Sequence, residues 1–376
     1  MQRFQLDLIK KDLKKKMVFL TGPRQSGKTW LAKQILSLYK RSLYLNYDSL
    51  EDKEIINKQA WDRDLDLIIF DELHKKDHWK SFIKGVYDTK LKKTHILVTG
   101  SASLEIFSRV DDSLAGRYFC HRLMPFSLSE LRQIKAESSY QSLNHLLERS
   151  GFPEPFLADN DLEAKRWRQQ YINSLLVGDA LDLEPIQNIK ALKLLFEMLK
   201  LRVGSSISYN SLAEDLKISP NTVKKYIDIL EALYVIFRVT PYSKNISRSI
   251  IKEPKIYFFD SALITHSDGA AFENLVAFSF LKSIYAENDY LAEEKTLHYI
   301  RTKDGLEVDF AIANDGEIEN IFEVKLSDDK PSRSLINFME RYKYTTVQIV
   351  KNIGKSKTVS KIKIQRAEEF LSDLFL

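Results

Sequence analysis

Eight residues near the N-terminus, GPRQSGKT at 22–29, place two glycines, a lysine and a threonine in the spacing G-x-x-x-x-G-K-T. An apolar run, MVFLT (17–21), precedes them and a helical pattern, KTWLAKQILSLY, follows. A loop of this kind wraps phosphate oxygens. Gly22 and Gly27 admit backbone angles that turn amide groups inward, and the helix N-terminus adds free donors and a favourable dipole. Pro23, Arg24, Gln25 and Ser26 complete the cradle. Lys28 is expected on the β- and γ-phosphates, and the Thr29 hydroxyl on Mg2+.

Such a site needs a second acidic element, and DLIIFDE supplies it. Asp71 ends a buried-type strand and is expected at the metal. Glu72 follows where it can orient and deprotonate an attacking water. The alternative is an acidic pair that caps a helix. Thr99 ends the next apolar run, HILVT, at the end of a strand where α/β ligands gather. That segment also reads as a turn with Ser101 or Ser103 as a cap. Arg117 precedes a further run and can stabilise charge on a neighbouring subunit's nucleotide, or pair with Asp111 or Asp112 at the surface. Asn46 is expected to restrain Glu72 by a hydrogen bond.

A second constellation lies at GLEVDFAIANDGEIENIFEVKLSDD (305–329). NDG at 314–316 is a hairpin turn, so the flanking runs are antiparallel neighbours. Period-two alternation puts Glu307 and Asp309 on one face, and Glu323 and Lys325 on one face of the partner strand. Asp309, Glu323 and Lys325 can therefore converge. Two carboxylates bind Mg2+, and a lysine stabilises charge on a phosphodiester under attack. The competing reading is an edge hairpin whose charges discourage aggregation.

These side chains need elements to hold them. At 376 residues the chain exceeds one typical core, and 44% hydrophobic with 29% charged residues exclude disorder. A net charge of +5 permits a nucleic-acid partner. The single cysteine, Cys120, excludes an internal disulfide and points to the cytoplasm. No apolar run is long enough for a membrane span. Five runs (17–21, 43–47, 66–70, 95–99 and 119–123) alternate with helical patterns, as in a parallel α/β sheet. Residues 128–200 read as helical, with a break at GFPEPF. After Lys255 strand patterns return, with helical FENLVAFSFLKSIY and SLINFMERY between them.

Residues 205–240 read as helix, turn, helix, strand. Ser219 caps the second helix and Pro220 suits its first position. Val223, Ile227 and Leu230 fall on the core side, leaving Asn221, Thr222, Lys224, Lys225 and Asp228 outward. With the strand behind it, this is winged-helix spacing, suited either to a DNA groove or to protein contact. Lys244, Arg248, Lys252 and Lys255 add positive charge downstream.

On GPRQSGKT, FDELHK, TGSASL and SLAGR, residues 1–130 resemble the AAA+ ATPases. With PFSLSEL, GFPEPF, KIYFFD, FENLV, HYIRTKDGLEVDF and FEVKLSD, the whole chain resembles a prokaryotic group of AAA+ ATPases with an appended C-terminal region. The resemblance implies an α/β AAA+ core (1–130) with a five-stranded parallel sheet. It implies next a helical lid or linker (131–200), a winged helix (201–250) and an α+β PD-(D/E)xK nuclease-like domain (251–376). In that last fold Glu273 stands at the place of an upstream helical glutamate, and Gln348 at a polar position often seen on the later strand. Many relatives carry Arg-Asp where this chain has Gly178-Asp179, so Arg166 or Arg168 would have to substitute. The implied function is Mg2+-dependent ATP hydrolysis by a homo-oligomer that acts on, or is regulated by, DNA. A nucleotide-controlled switch that only binds, and an ATP-regulated nuclease, are the alternatives.

Overall fold

The computed structural model describes residues 3–100, 114–134, 139–183, 186, 188–243, 253–302 and 305–376. Ser101, Ser103, Asp111, Asp112, Lys244, Arg248 and Lys252 lie outside the described residues. The chain forms two compact units, Met1–Pro125 and Phe126–Leu376.

The first unit runs α1 (Gln5–Leu13), β1 (Met17–Thr21), α2 (Lys28–Leu36), β2 (Ser42–Asn46), α3 (Leu50–Lys58), β3 (Leu67–Asp71), α4 (Trp79–Thr89), β4 (His95–Thr99) and β5 (Tyr118–Arg122). Each strand lies within one residue of its expected span. The five strands are parallel, in the order β2-β3-β4-β1-β5. Every residue of β1 and β3 is buried, which is why both read as unbroken apolar runs. Alternate side chains serve opposite faces. Phe19, Ile68, Phe70 and Val98 pack on Trp79, Ile83 and Val86 of α4. Val18, Leu20, Ile69 and Leu97 pack on Leu31 and Ile35 of α2 and Ile9 of α1. This order makes β3, β4 and β1 neighbours, so their C-terminal ends open side by side.

The second unit begins at Phe126, five residues before the expected start at 131. The reason is local: the Phe126 amide donates to Gly151 O at 2.6 Å, and the Ser127 hydroxyl donates to Leu376 O at 2.8 Å. Helices Leu128–Gln133, Ser139–Arg149, Asp161–Ser174 and Ile189–Lys200 come first, then Tyr209–Leu216 and Pro220–Ala232. The last helix starts as its sequence requires, with Ser219 accepting from the Thr222 amide at 3.1 Å and Pro220 in the first turn. Val223, Ile227 and Leu230 are fully buried.

An eight-stranded mixed sheet follows, ordered β12-β13-β11-β10-β9-β8-β6-β7. Its strands are β6 (Ile236–Pro241), β7 (Lys255–Phe258), β8 (Lys295–Arg301), β9 (Glu307–Asn314), β10 (Glu317–Lys325), β11 (Thr345–Val350), β12 (Lys357–Val359) and β13 (Ile362–Arg366). The strand expected as a wing, β6, pairs with β7 and β8 and so belongs to the sheet of the C-terminal hairpin. Asp315 and Gly316 both take positive φ (49° and 78°), as a two-residue hairpin turn demands. Helix Asp268–Leu291 backs the sheet, with Phe280 packed on Phe310, Phe322 and Phe370.

Candidate nucleotide and metal sites

At the C-terminal edge of the first sheet the phosphate loop connects β1 to α2. Gly22 has φ +133°, and a Cβ there would lie 2.4 Å from Leu123 O, so no other residue fits. Gly27, also left-handed at φ 96°, starts α2. Arg24 and Gln25 are exposed, Gln25 with φ 60°, while Pro23 and Ser26 are buried. The Ser26 hydroxyl is buried without a hydrogen-bond partner, a spare polar atom within the phosphate loop. Lys28 curls back, donating to Gly22 O at 3.0 Å and Pro23 O at 2.7 Å. Burial pushes its ammonium down to about 8, against the charges of Glu72 and Asp71.

Asp71 is the hub. Thr29 donates to its Oδ2 at 3.0 Å, Tyr44 donates to the same oxygen, and Thr99 donates to Oδ1. The Glu72 amide also reaches Oδ1, at 3.1 Å. The parallel register sets Asp71 beside Thr99 on one side and Asn46 on the other. Glu72 follows in a left-handed conformation, φ 55°. Its carboxylate lies 3.7 Å from the His74 ring and 3.8 Å from the Lys75 ammonium. Burial raises the Glu72 carboxyl and lowers His74 to about 4, so His74 is neutral at pH 7.

Several expectations change here. Asn46 does not reach Glu72: its side-chain oxygen accepts from the Asp48 amide at 2.9 Å and shapes the next loop. Arg117 pairs with Asp88 of α4, at 2.9 Å and 3.3 Å. Two contributors escaped sequence reasoning. Tyr44 is one. Arg3 is the other, buried and donating to Ser26 O at 2.9 Å and Met124 O at 2.6 Å, where it braces the phosphate loop. A tyrosine in a strand and an arginine near the start carry no periodic signal.

In the second unit β9 and β10 pair antiparallel, with Phe322 opposite Phe310. The Asp309 carboxylate accepts from the Val324 amide at 2.8 Å, and Lys325 pairs with Glu323 at 2.8 Å. Burial raises Asp309. Burial and the Asp309 charge push Glu323 up to about 7. Burial alone would lower Lys325, but the Glu323 hydrogen bond and charge raise it. Glu273 accepts from the Tyr257 hydroxyl at 2.7 Å and is pushed up to about 7 by burial and the Asp309 charge.

Among the described residues, no three His, Cys, Asp or Glu side chains converge on one point. Glu273 is thus a neighbour of Asp309 and Glu323 rather than a joint ligand. Mg2+ needs only one or two carboxylates besides water, so Asp309 and Glu323 remain a sufficient pair. Glu323 Oε2 fits that use, being buried without a hydrogen-bond partner.

Gln348 is fully buried. It clamps the loop after β10, donating to Asp328 O at 2.8 Å and Lys330 O at 2.9 Å and accepting from the Ser332 amide. Lys255 is no surface contact: it is 2% exposed and paired with Glu307 at 2.6 Å. Arg168 is buried against Asp260 at 2.9 Å and cannot project outward, whereas Arg166 is exposed. Gly178-Asp179 falls in a π-helical turn, Leu175–Asp179. On the second helix of the pair, Asn221 and Lys224 are exposed and Lys225 half-buried, while Asp228 pairs with Arg238 at 2.8 Å and Thr222 bonds Ser219.

A parallel five-stranded sheet with a phosphate loop after β1 and an acidic pair after β3 is the arrangement of an AAA-like ATPase. Residues 14–132 match the family model described as AAA domain. Residues 140–273 and 268–369 match two models described as domains of unknown function, DUF8612 and DUF4143. An uncharacterized protein of Methanocaldococcus jannaschii, MJ1544, is 27% identical over 346 residues, covering 82% of this chain and 74% of that protein. An uncharacterized protein of Mycobacterium tuberculosis, Rv2008c, is 26% identical over 327 residues, 85% of this chain and 72% of that one. Among solved structures, a Walker-type ATPase of Pyrococcus abyssi is 14% identical with a TM-score of 0.45, over 69% of this chain and 93% of that chain. Among the described residues no helix is long and apolar enough to cross a membrane.

Proposed function

We propose that this protein is a Mg2+-dependent, ATP-hydrolysing AAA+ protein whose second unit engages DNA. The observation that carries the reading is the convergence of Thr29 and Thr99 on Asp71, with Glu72 next in the chain. Lys28 and the amides of 22–29 hold the phosphates. Thr29 and Asp71 hold Mg2+, which when bound neutralises charge on the phosphate oxygens. Glu72, its carboxyl raised by burial, orients a water and takes its proton. Arg117 of a neighbouring copy in a homo-oligomer supplies the remaining positive charge. The test is calorimetry of ATP binding to Lys28→Ala: unchanged affinity would sink the reading.

The second unit supports a PD-(D/E)xK nuclease-like module with a helix-turn-helix before it. Helix Asp268–Leu291, the β8-β9-β10 meander, helix Arg333–Tyr342 and β11 parallel to β10 have that order. Asp309 and Glu323 would hold the ion, and Lys325 would steady charge on a phosphodiester. Exposed Asn221 and Lys224, with Lys225, suit phosphate contact. Mn2+- or Mg2+-dependent cutting that disappears in Asp309→Ala and Glu323→Ala marks an active nuclease. DNA-stimulated ATPase without cutting marks a binding module, and a single ADP-retaining burst marks a switch.

A further inference from the structure

Glu72 has a cation beside it that bonds elsewhere. The Lys75 ammonium stands 3.8 Å from Glu72 Oε2, beyond hydrogen-bond distance, and donates instead to both oxygens of Asp48, at 2.8 Å and 2.6 Å. The His74 ring is 3.7 Å from the same Glu72 oxygen. Lys28, the other cation whose charge reaches Glu72, is held by the carbonyls of Gly22 and Pro23. Among the described residues, Lys75 is therefore the ammonium placed to close on Glu72.

That closure is short. The Lys75 amide donates to Glu72 O at 3.1 Å, so both side chains leave one tight turn. A shift of about 1 Å would make a charge-assisted hydrogen bond between them. Asp48 belongs to a different element, the loop between β2 and α3, and that loop is fixed. The Tyr47 amide donates to Asp71 O at 3.0 Å, the Asp48 amide to Asn46 Oδ1 at 2.9 Å and the Asn46 amide to Asp52 Oδ2 at 2.9 Å. Lys75 is 46% and Asp48 51% exposed, and a pair so open to water adds little to stability. Its effect is to set where the Lys75 ammonium lies.

We propose that Asp48 is a positioning residue for ATP hydrolysis: it draws Lys75 off Glu72 and so keeps the base open to the attacking water. The inference rests on Glu72 as the base proposed above. Without the Asp48 charge, Glu72 is the carboxylate left beside the Lys75 ammonium. Glu72 Oε2 then accepts from that ammonium, and the carboxylate turns from the water it has to orient. ATP binding, assigned to Lys28 and the phosphate loop, is left alone.

The test is steady-state ATP turnover by the full-length chain at saturating ATP and Mg2+, beside ATP affinity by calorimetry. Asp48→Asn should lower kcat by about tenfold or more and leave the Kd for ATP within about twofold of the parent. The double variant Asp48→Asn/Lys75→Met should return kcat to within about threefold of the parent, which a merely structural role for Asp48 would not do. If Asp48→Asn does not fold, Asp48→Ser carries the same comparison. Glu72→Gln should abolish turnover and separates the two readings. With Glu72→Gln inactive, a parent-like kcat in Asp48→Asn, or a loss that the double variant does not reverse, overturns the role of Asp48 and leaves Glu72 standing as the base. Parent-like turnover in Glu72→Gln overturns both.

Discussion

The Thr99 hydroxyl donates to the Asp71 carboxylate, the two residues set side by side by the parallel pairing of β3 and β4. Thr29 and Tyr44 bind the other oxygen, so donors from three elements fix the plane of one carboxylate. The carboxylate proposed as metal ligand is thus oriented before any ion arrives.

Removing the Thr99 donor should therefore act on the metal before the nucleotide. Thr99→Val is expected to raise the Mg2+ concentration for half-maximal ATPase by about 10- to 100-fold. Thr99→Ser should keep it near the parent value. Equal Mg2+ dependence in all three proteins would mean that Thr99 only fills its strand position.

Nucleotide binding should carry a proton. In the nucleotide-free protein burial holds Lys28 down to about 8. Phosphate beside it favours the charged form, so the bound value is higher. Affinity should be flat below about pH 8 and fall as pH rises through it. Calorimetry at pH 8.5 in buffers of different ionisation enthalpy should report net proton uptake. None, or release, contradicts this.

Arg117 and Asp88 form a surface pair that solvent screens. Freeing Arg117 therefore costs little. Asp88→Ala should leave the melting temperature nearly unchanged and ATP turnover at or above the parent rate. Arg117→Ala should lower turnover by about 1,000-fold at protein concentrations where copies assemble. Equal turnover in parent and Arg117→Ala across a protein dilution series would remove Arg117 from the reaction.

Glu273 is buried near the Asp309 charge and raised from 4.5 to about 7. An acid raised on folding contributes stability that is complete below its unfolded value and is lost as pH rises through its folded value. Stability from this group should therefore decline between pH 4.5 and 7. Glu273→Gln keeps an acceptor for the Tyr257 hydroxyl and removes the charge. At pH 8 without divalent ions it should be more stable by on the order of 2 kcal/mol, roughly 5 °C in Tm. At pH 4.5 the two proteins should melt together. A less stable Glu273→Gln at pH 8 would contradict the burial argument.

The residue pattern carried the first sheet almost completely, because its strands are unbroken apolar runs between helical periods. It also carried the hairpin, where alternation and the NDG turn fix which side chains share a face. It missed β12 and β13, three and five residues long, because pairing of β13 with β11 and of β12 with β13, rather than local preference, makes them strands. It also divided 201–250 from the region after it, although β6 is part of the same sheet.

The sequence by itself determined the phosphate loop, the acidic pair after β3 and the faces of Asp309, Glu323 and Lys325, because each is set by spacing within one loop, strand or hairpin. Only the tertiary structure decided that Tyr44 and Thr99 hold Asp71, that Arg3 braces the loop, that Gln348, Asn46 and Arg168 serve the scaffold, and that Lys255 is buried against Glu307. Those meetings join residues far apart in the chain. They follow from strand order and register, which long-range packing sets and local periodicity does not encode.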